Sequence, residues 1–330
     1  MRCGVVTEPG RFVLEERPLP EEAPAGWVLV DIAAVGICGT DYHIFGGRQP
    51  FLQYPRLIGH ELSGHVTRDG QGWRARQRVV INPYISCGTC RMCRAGRPNC
   101  CETLAVLGVH RDGGMCTRIA VPTGNLIDAK GLSAREAALV EFLAIGAHAV
   151  RRSRIGMGDR VLVTGAGPIG VGTALFAREK GAEVHLMDLS RARLDACGRL
   201  GFADLHEGPG AFPEGGFDAV FDATGNARAM EAGFAHVAQG GSYVFVSIVK
   251  GDIRFDDAEF HRKELTLFAS RNATAEDFAT VMDALAEGRV PGAALISTEM
   301  MLEEVPERLP ELAEDRAALI KALVVIDPRG

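Results

Sequence analysis

The sequence predicts a two-part α/β protein: a β-rich, barrel-like domain followed by a doubly wound parallel sheet. Three observations carry this. Prolines, glycines and short apolar strands dominate the first ~130 residues. From Arg160 onward, apolar strands alternate with helical stretches that end at glycines. Between the first such strand and the first such helix stands Gly165-Ala-Gly167-Pro168-Ile169-Gly170. There is no internal repeat and no low-complexity tract.

A chain of 330 residues is comfortable for two domains. Its 47% hydrophobic content with 40 glycines and 16 prolines fits a turn-rich globular protein and excludes a fibre or a disordered chain. Net charge is −6 with no long block of one sign, which argues against a nucleic-acid or anionic-membrane partner. No apolar run approaches the roughly 20 residues of a membrane span. The N-terminus MRCGVVTEPGRF lacks a basic region followed by an apolar one, so a cytoplasmic setting is expected. Nine cysteines, odd in number and clustered, then read as metal ligands or free thiols, not disulfides.

In chain order, Phe12-Val-Leu and Trp27 to Val35 read as strands. The glycine- and proline-rich segment up to Pro55 is expected to be loop. Gly59–Val66 and Arg78–Ile81 resume strand alternation. Cys87 to Cys101 is a lobe too poor in apolar residues to fold by burial, so it needs a staple. Met115–Val121 is a strand. Ser133 to Arg152 has helical spacing, with Ser133 as N-cap and Glu136 three residues on. Val161–Val163 is a strand, and Pro168 to Lys180 a helix closed by Gly181. Val184–Met187 is a strand, and Arg191–Leu200 a helix closed by Gly201. Ala219–Phe221, Tyr243–Val249 and Leu265–Phe268 are strands. After a helix from Ala275 to Glu287 come a break at Pro291-Gly292 and a strand near Ile296. A helix ending near Leu319 and a last strand, Ala322–Ile326, complete the chain.

The glycine loop has a defined chemistry. Gly165 permits the tight turn, Gly167 lets backbone approach a pyrophosphate, and Gly170 lets helix and sheet pack closely. The helix N-terminus beyond it offers unpaired N–H groups to phosphates. Asp188, ending the next strand, suits ribose hydroxyls and repels a 2′-phosphate, which favours NAD over NADP against the contrary signal of Arg191 and Arg193. Gly165, Gly167, Pro168, Ile169, Gly170, Asp188, Arg193 and Thr224 are the candidate cofactor contacts.

Two sets of metal ligands stand out. Cys87-x2-Cys90-x2-Cys93-x7-Cys101 can close a tetrahedron around structural zinc, with Cys100 an equal candidate for the fourth place on spacing alone. An iron–sulfur cluster is the other option that four cysteines leave. The second set is Cys38, His60, Glu61 and Glu141. Each alone has a bland reading as core or surface.

Cys38-Gly-Thr40-Asp41-x-His43, then Gly59-His60-Glu61-x-x-Gly64, then the cysteine lobe, then the glycine loop, resemble the zinc-dependent medium-chain alcohol and polyol dehydrogenases over essentially the whole chain. The resemblance implies a GroES-like β-barrel catalytic domain with an inserted Rossmann domain. The expected divisions are 1–142 with the zinc lobe 87–101, then 143–271, then 272–330 returning to the first domain. It implies two zinc ions per chain. Cys87, Cys90, Cys93 and Cys101 would hold the structural one, and Cys38 and His60 the catalytic one. The third catalytic ligand is Glu141, which opens Glu-Phe-Leu where the sorbitol- and threonine-dehydrogenase-like branch has Glu-Pro-Leu, or else Glu61. The implied reaction is reversible NAD-linked oxidation of a secondary alcohol. Thr40 and His43 would relay the proton and Asp41 would orient His60. His148 is expected to be structural, and His65 receives no role. The branch also implies a substrate cleft between domains and a homo-oligomer, a dimer or tetramer.

Leu107 to Gly114 and Ser270-Arg271-Asn272-Ala resemble segments of sugar-acid dehydrogenases acting on L-galactonate or L-gulonate at C5. Arg48, Arg111 and Arg271 are candidate partners for a hexonate carboxylate. The rival readings are a threonine- or sorbitol-dehydrogenase-like enzyme and an NAD-sensing zinc protein without turnover.

Overall fold

An eleven-residue strand, Trp27–Ile37, is the spine of one of the two units formed by the chain in a computed structural model that describes residues 1–49, 52–210, 212–315 and 319–327. This unit comprises Met1–Glu141, Met282–Arg316 and Lys321–Gly330. The spine pairs antiparallel with Glu61–Val66, Arg118–Pro122 and Lys321–Val325. Arg78–Ile81 and Leu126–Asp128 extend the sheet on one side, and Ile296–Met301 on the other. Such a strand is buried on both faces, which is why it reads as a nearly unbroken apolar run. Val30, Ile32, Val35 and Ile37 are all 2% exposed or less, each contributing roughly 1.5–3 kcal/mol before ordering costs. A smaller sheet joins Arg11–Glu16, Arg2–Glu8 and Arg56–Leu57, and a two-stranded ladder joins Tyr84–Ile85 to Ala105–Val106.

The segment expected to be loop up to Pro55 contains a helix, Gly39–Phe45. Its start is built by Asp41, whose carboxylate accepts the Cys38 amide at 2.9 Å. An acid in the first turn of a helix takes up orphan amides and so offsets an unfavourable composition. Pro50 and Phe51 of that segment lie outside the described residues. The strand expected over Met115–Val121 begins only at Arg118, because Met115 is bonded to Ile58 and Cys116 turns back onto Gly114. The last helix, Val305–Glu314, stops short of Leu319; residues 316–318 are outside the described set.

The other unit centres on Phe142–Val281. Its six-stranded sheet runs in the order Asp204–Glu207, Glu183–Asp188, Arg160–Thr164, Phe217–Asp222, Val237–Phe245, Thr266–Ala269, and every pair is parallel. This is the doubly wound order, with the reversal beside Arg160–Thr164. Asp204–Glu207 is a strand the sequence reading lacks. The strand expected over Tyr243–Val249 is Val237–Phe245, since Val246 and Ser247 turn to bond the Asp222 carbonyl. Leu162, Phe217, Val220, Val237 and Tyr243 form its core.

The helix Ala134–Ser153 starts with the expected box: the Ser133 amide donates to Glu136 and the Glu136 amide to the Ser133 hydroxyl. Further along it His148 is buried against Asp277 at 2.8 Å, a structural contact. Among the described residues no helix is long and apolar enough to cross a membrane.

Candidate active site

Two strand ends bring the first ligand set together. Cys38 follows the spine strand, and His60 and Glu61 enter its neighbour, with Gly36 and Glu61 paired in register. One donor atom from each of Cys38, His60 and Glu61 lies within 4.8 Å of the other two. Glu141, buried on the helix Ala134–Ser153, stands outside that trio. The neighbourhood is crowded with acids. Burial opposes charging of His60, yet Asp41, Cys38 and Glu141 outweigh it and raise its pKa well above the ordinary value. Burial, with the Glu61 charge, pushes the Glu141 carboxyl up to about 7. Among the described residues Cys38, Asp41, Glu61 and Glu141 crowd around His60 and Lys321, so acidic groups outnumber basic ones at the site. His60 Nδ1 is buried and has no hydrogen-bond partner among the described residues. Soft thiolate, imidazole and carboxylate at such a site fit a zinc ion.

Two residues absent from the sequence reading complete the site. Lys321 opens the strand Lys321–Val325 and is 1% exposed. Its Nζ lies 2.6 and 2.7 Å from the two oxygens of Glu61, and it also donates to the Ile37 carbonyl at 3.3 Å. A Cβ on Gly36 would fall 2.0 Å from Glu61 Oε2, so only glycine leaves room for this carboxylate. The Tyr84 hydroxyl donates to Glu141 Oε1.

The proposed relay residues sit on the helix Gly39–Phe45. Thr40 is half-buried and His43 exposed, three positions apart and therefore on one face. Asp41 is fully buried. Its oxygens accept the Cys38 amide at 2.9 Å and the Gly59 amide at 3.4 Å, while His60 Nδ1 is 3.7 Å away. The carboxylate thus braces the two loops that carry the ligands and meets the imidazole at ion-pair range, beyond hydrogen-bond length. His65 accepts from Arg78 Nε at 3.3 Å.

Of the three arginines considered for a carboxylate, Arg48 is exposed and its backbone amide bonds the His43 carbonyl. Arg111 lies over the Trp27 ring, 5.3 Å from its centroid. Arg271 is exposed in the other unit.

In the cysteine lobe, Cys87, Cys90, Cys93 and Cys101 bring their sulfurs within 4.8 Å of one another, and Cys100 is not in the set. Amides point at the sulfurs: Thr89 and Cys90 at Cys87, and Cys93 at Cys90. The Thr89 and Cys90 amides lower the Cys87 thiol to about 5, favouring the thiolate that binds metal. Four sulfurs leave no open position, as a structural zinc site requires.

In the glycine loop, a Cβ on Gly170 would lie 1.7 Å from the Gly165 carbonyl oxygen, while Gly167 faces open space at the start of the helix Pro168–Glu179. That space is room for a phosphate against backbone amides. Asp188 ends its strand and accepts from the Ala166 and Ser190 amides at 2.7 and 2.8 Å; Arg193 pairs with it at 3.5 Å. Arg193 is thereby drawn toward the carboxylate. Thr224 is held on Asp222 through both its amide and its hydroxyl.

Comparison with known proteins gives a consistent picture. A model of the alcohol dehydrogenase GroES-like domain matches residues 24–131, and a model of zinc-binding dehydrogenases matches residues 168–287. L-galactonate-5-dehydrogenase of Escherichia coli K12 is 40% identical, with 98% of each chain covered. D-altritol 5-dehydrogenase of Agrobacterium fabrum is 34% identical, covering 92% of this chain and 90% of that one. Among solved structures, the alcohol dehydrogenase RspB of E. coli CFT073, complexed with NADH, superposes with a TM-score of 0.91 at 29% identity, covering 99% of both chains.

Proposed function

The chain belongs to the zinc-dependent alcohol dehydrogenase family, and from that premise we propose that it oxidises a secondary alcohol of a six-carbon sugar acid, at C5 of L-galactonate or L-gulonate, with NAD as hydride acceptor. The observation that carries the reaction class is the approach of half-buried Cys38 to buried His60 and Glu61, with buried Glu141 acting on His60. The substrate class is supported by the 40% full-length likeness to L-galactonate-5-dehydrogenase.

In this reading Cys38 and His60 hold the zinc. Glu141 is the third ligand, because Glu61 is already committed. Withdrawing Glu61 from Lys321 would strand a buried ammonium, at a cost of about 3–5 kcal/mol. Bound there, zinc would supply the Lewis acidity that lowers the pKa of a substrate hydroxyl. NAD, when bound, would supply the hydride acceptor, and the alcohol would give up a hydride and a proton to become a ketone. Thr40 accepts and passes that proton, and His43, exposed on the same helical face, releases it. Asp41 fixes the spacing of Cys38 and His60 through the backbone amides of Cys38 and Gly59. Cys87, Cys90, Cys93 and Cys101 hold the structural zinc. Gly165, Gly167, Pro168, Ile169 and Gly170 cradle the pyrophosphate. Asp188 would take the adenosine ribose, Arg193 stays paired to Asp188, and Thr224, held on Asp222, would add a further cofactor contact.

The nine free cysteines suit a reducing cytoplasm. A homo-oligomer is part of the proposal, because Thr266–Ala269 is an edge strand with Leu267 exposed. Metal analysis tests the ligand assignment. Two zinc per chain are expected in the wild type and one in Cys38→Ser; equal zinc in both would contradict it.

A further inference from the structure

We propose that Tyr84 is a positioning residue for the zinc site, holding Glu141 so that one carboxylate oxygen is fixed by the phenol and the other is left for the metal. This rests on the reading of Glu141 as third ligand.

Tyr84 is 8% exposed and its hydroxyl donates to Glu141 Oε1. A phenol is the donor here and a carboxylate oxygen the acceptor. A carboxylate on a helix can swing about its side-chain torsions. A single donor on one oxygen removes most of that freedom and sets which lone pairs face Cys38 and His60. Glu61 has its own clamp in Lys321. The two carboxylates therefore have separate holders, one cationic and one neutral. The neutral holder brings no formal charge to Glu141, so it fixes one oxygen without forming an ion pair with the carboxylate.

Tyr84 is itself held rigidly. It belongs to the ladder Tyr84–Ile85/Ala105–Val106, whose two strands lead into Cys87 and out of Cys101. The Asn125 amide donates to the Tyr84 carbonyl at 3.1 Å and to the Asn82 carbonyl at 2.8 Å. The four-cysteine lobe thus closes the loop from which Tyr84 reaches Glu141. The order of one metal centre is passed to the other through one side chain.

The test compares wild type, Tyr84→Phe and Tyr84→His, each loaded with zinc or cobalt. Removal of an outer-shell partner typically weakens metal affinity 10–100-fold. Against a chromogenic chelator, Tyr84→Phe is expected to lose its non-lobe zinc at about 10–100-fold lower chelator concentration, with the lobe zinc unmoved. The visible bands of the cobalt form should shift, and Tyr84→His, which restores a donor, should return both bands and retention to those of the wild type. A general loss of packing would lower the melting temperature without moving the cobalt bands. Tyr84→Phe with wild-type zinc retention and an unshifted cobalt spectrum would overturn the inference. If Tyr84→Phe does not fold, Tyr84→His with wild-type bands and retention supports it, and altered bands despite the restored donor count against it. A wild type that binds zinc only in its lobe would instead overturn the ligand reading, and the inference with it.

Discussion

Replacing Lys321 with methionine should destabilise this protein far more than a lysine substitution usually does. Lys321 and Glu61 are 1% and 0% exposed, and the ammonium sits 2.6 Å from one carboxylate oxygen and 2.7 Å from the other. Removing one partner of such a pair leaves a buried, uncompensated charge, at a cost of about 3–5 kcal/mol. A unit of roughly 150–250 residues loses about 2–4 °C of melting temperature per kcal/mol, so the expected fall is roughly 6–20 °C. The second half of the cycle matters more. Lys321→Met combined with Glu61→Met removes both charges together, and such replacements are often neutral. Calorimetry on wild type, Lys321→Met, Glu61→Met and the double variant should show the double variant within about 1 kcal/mol of wild type. It should also keep its second zinc, because Glu141 remains. Lys321→Met melting with the wild type, or a double variant as unstable as the single one, would refute the reasoning.

Other consequences follow from named contacts. Asp277 is buried, and although burial favours its neutral form, His148 and Arg151 hold its pKa below the ordinary carboxylate value. A depressed folded pKa contributes stability above the unfolded value that is lost as pH falls; acid titration of unfolding should therefore show a flatter acid limb in Asp277→Asn. Gly36→Ala places a methyl on Glu61 Oε2 and should displace the carboxylate, lowering NAD-linked turnover and thermal stability together. Asp188→Ser frees Arg193 from its ion pair and removes repulsion of a 2′-phosphate. The ratio of kcat/KM for NADP to that for NAD should rise by at least about tenfold, roughly one charged contact's worth. Cys90→Ser should remove the lobe zinc, which metal analysis would show as one ion per chain.

The first half of the cofactor unit was legible in the sequence, because its signals are local; the strand Asp204–Glu207 and the short helices Ala227–Gly233 and Asp257–Arg262 were not. Strand, glycine turn and helix lie within a dozen residues around Gly165, and periodicity switches with them. The ligand candidates were legible too, since each metal set combines short spacings with reactive residue types. What escaped notice has its partner far away in the chain. Lys321 opens the apolar run Lys-Ala-Leu-Val-Val, and a lysine at a strand end reads as a solvated terminus. Its buried role is visible only once Glu61, 260 residues earlier, is placed beside it. Tyr84, in Asn-Pro-Tyr-Ile, resembles any strand aromatic, and nothing nearby announces Glu141. The helix Gly39–Phe45 was missed because glycine and proline density outweighed one acid in its first turn. Asp41 carries that helix by bonding backbone, a use that no spacing pattern records.

The most direct test of the central claim is NADH formation by the zinc-loaded protein on a panel of L-galactonate, L-gulonate, hexitols and L-threonine, repeated after zinc removal and in Cys38→Ser. The account predicts NADH from an L-hexonate at a higher kcat/KM than from any hexitol or L-threonine, abolished by both treatments and restored by zinc only in the wild type. NADH formed equally well without zinc, or from L-threonine in preference to every hexonate, would contradict it.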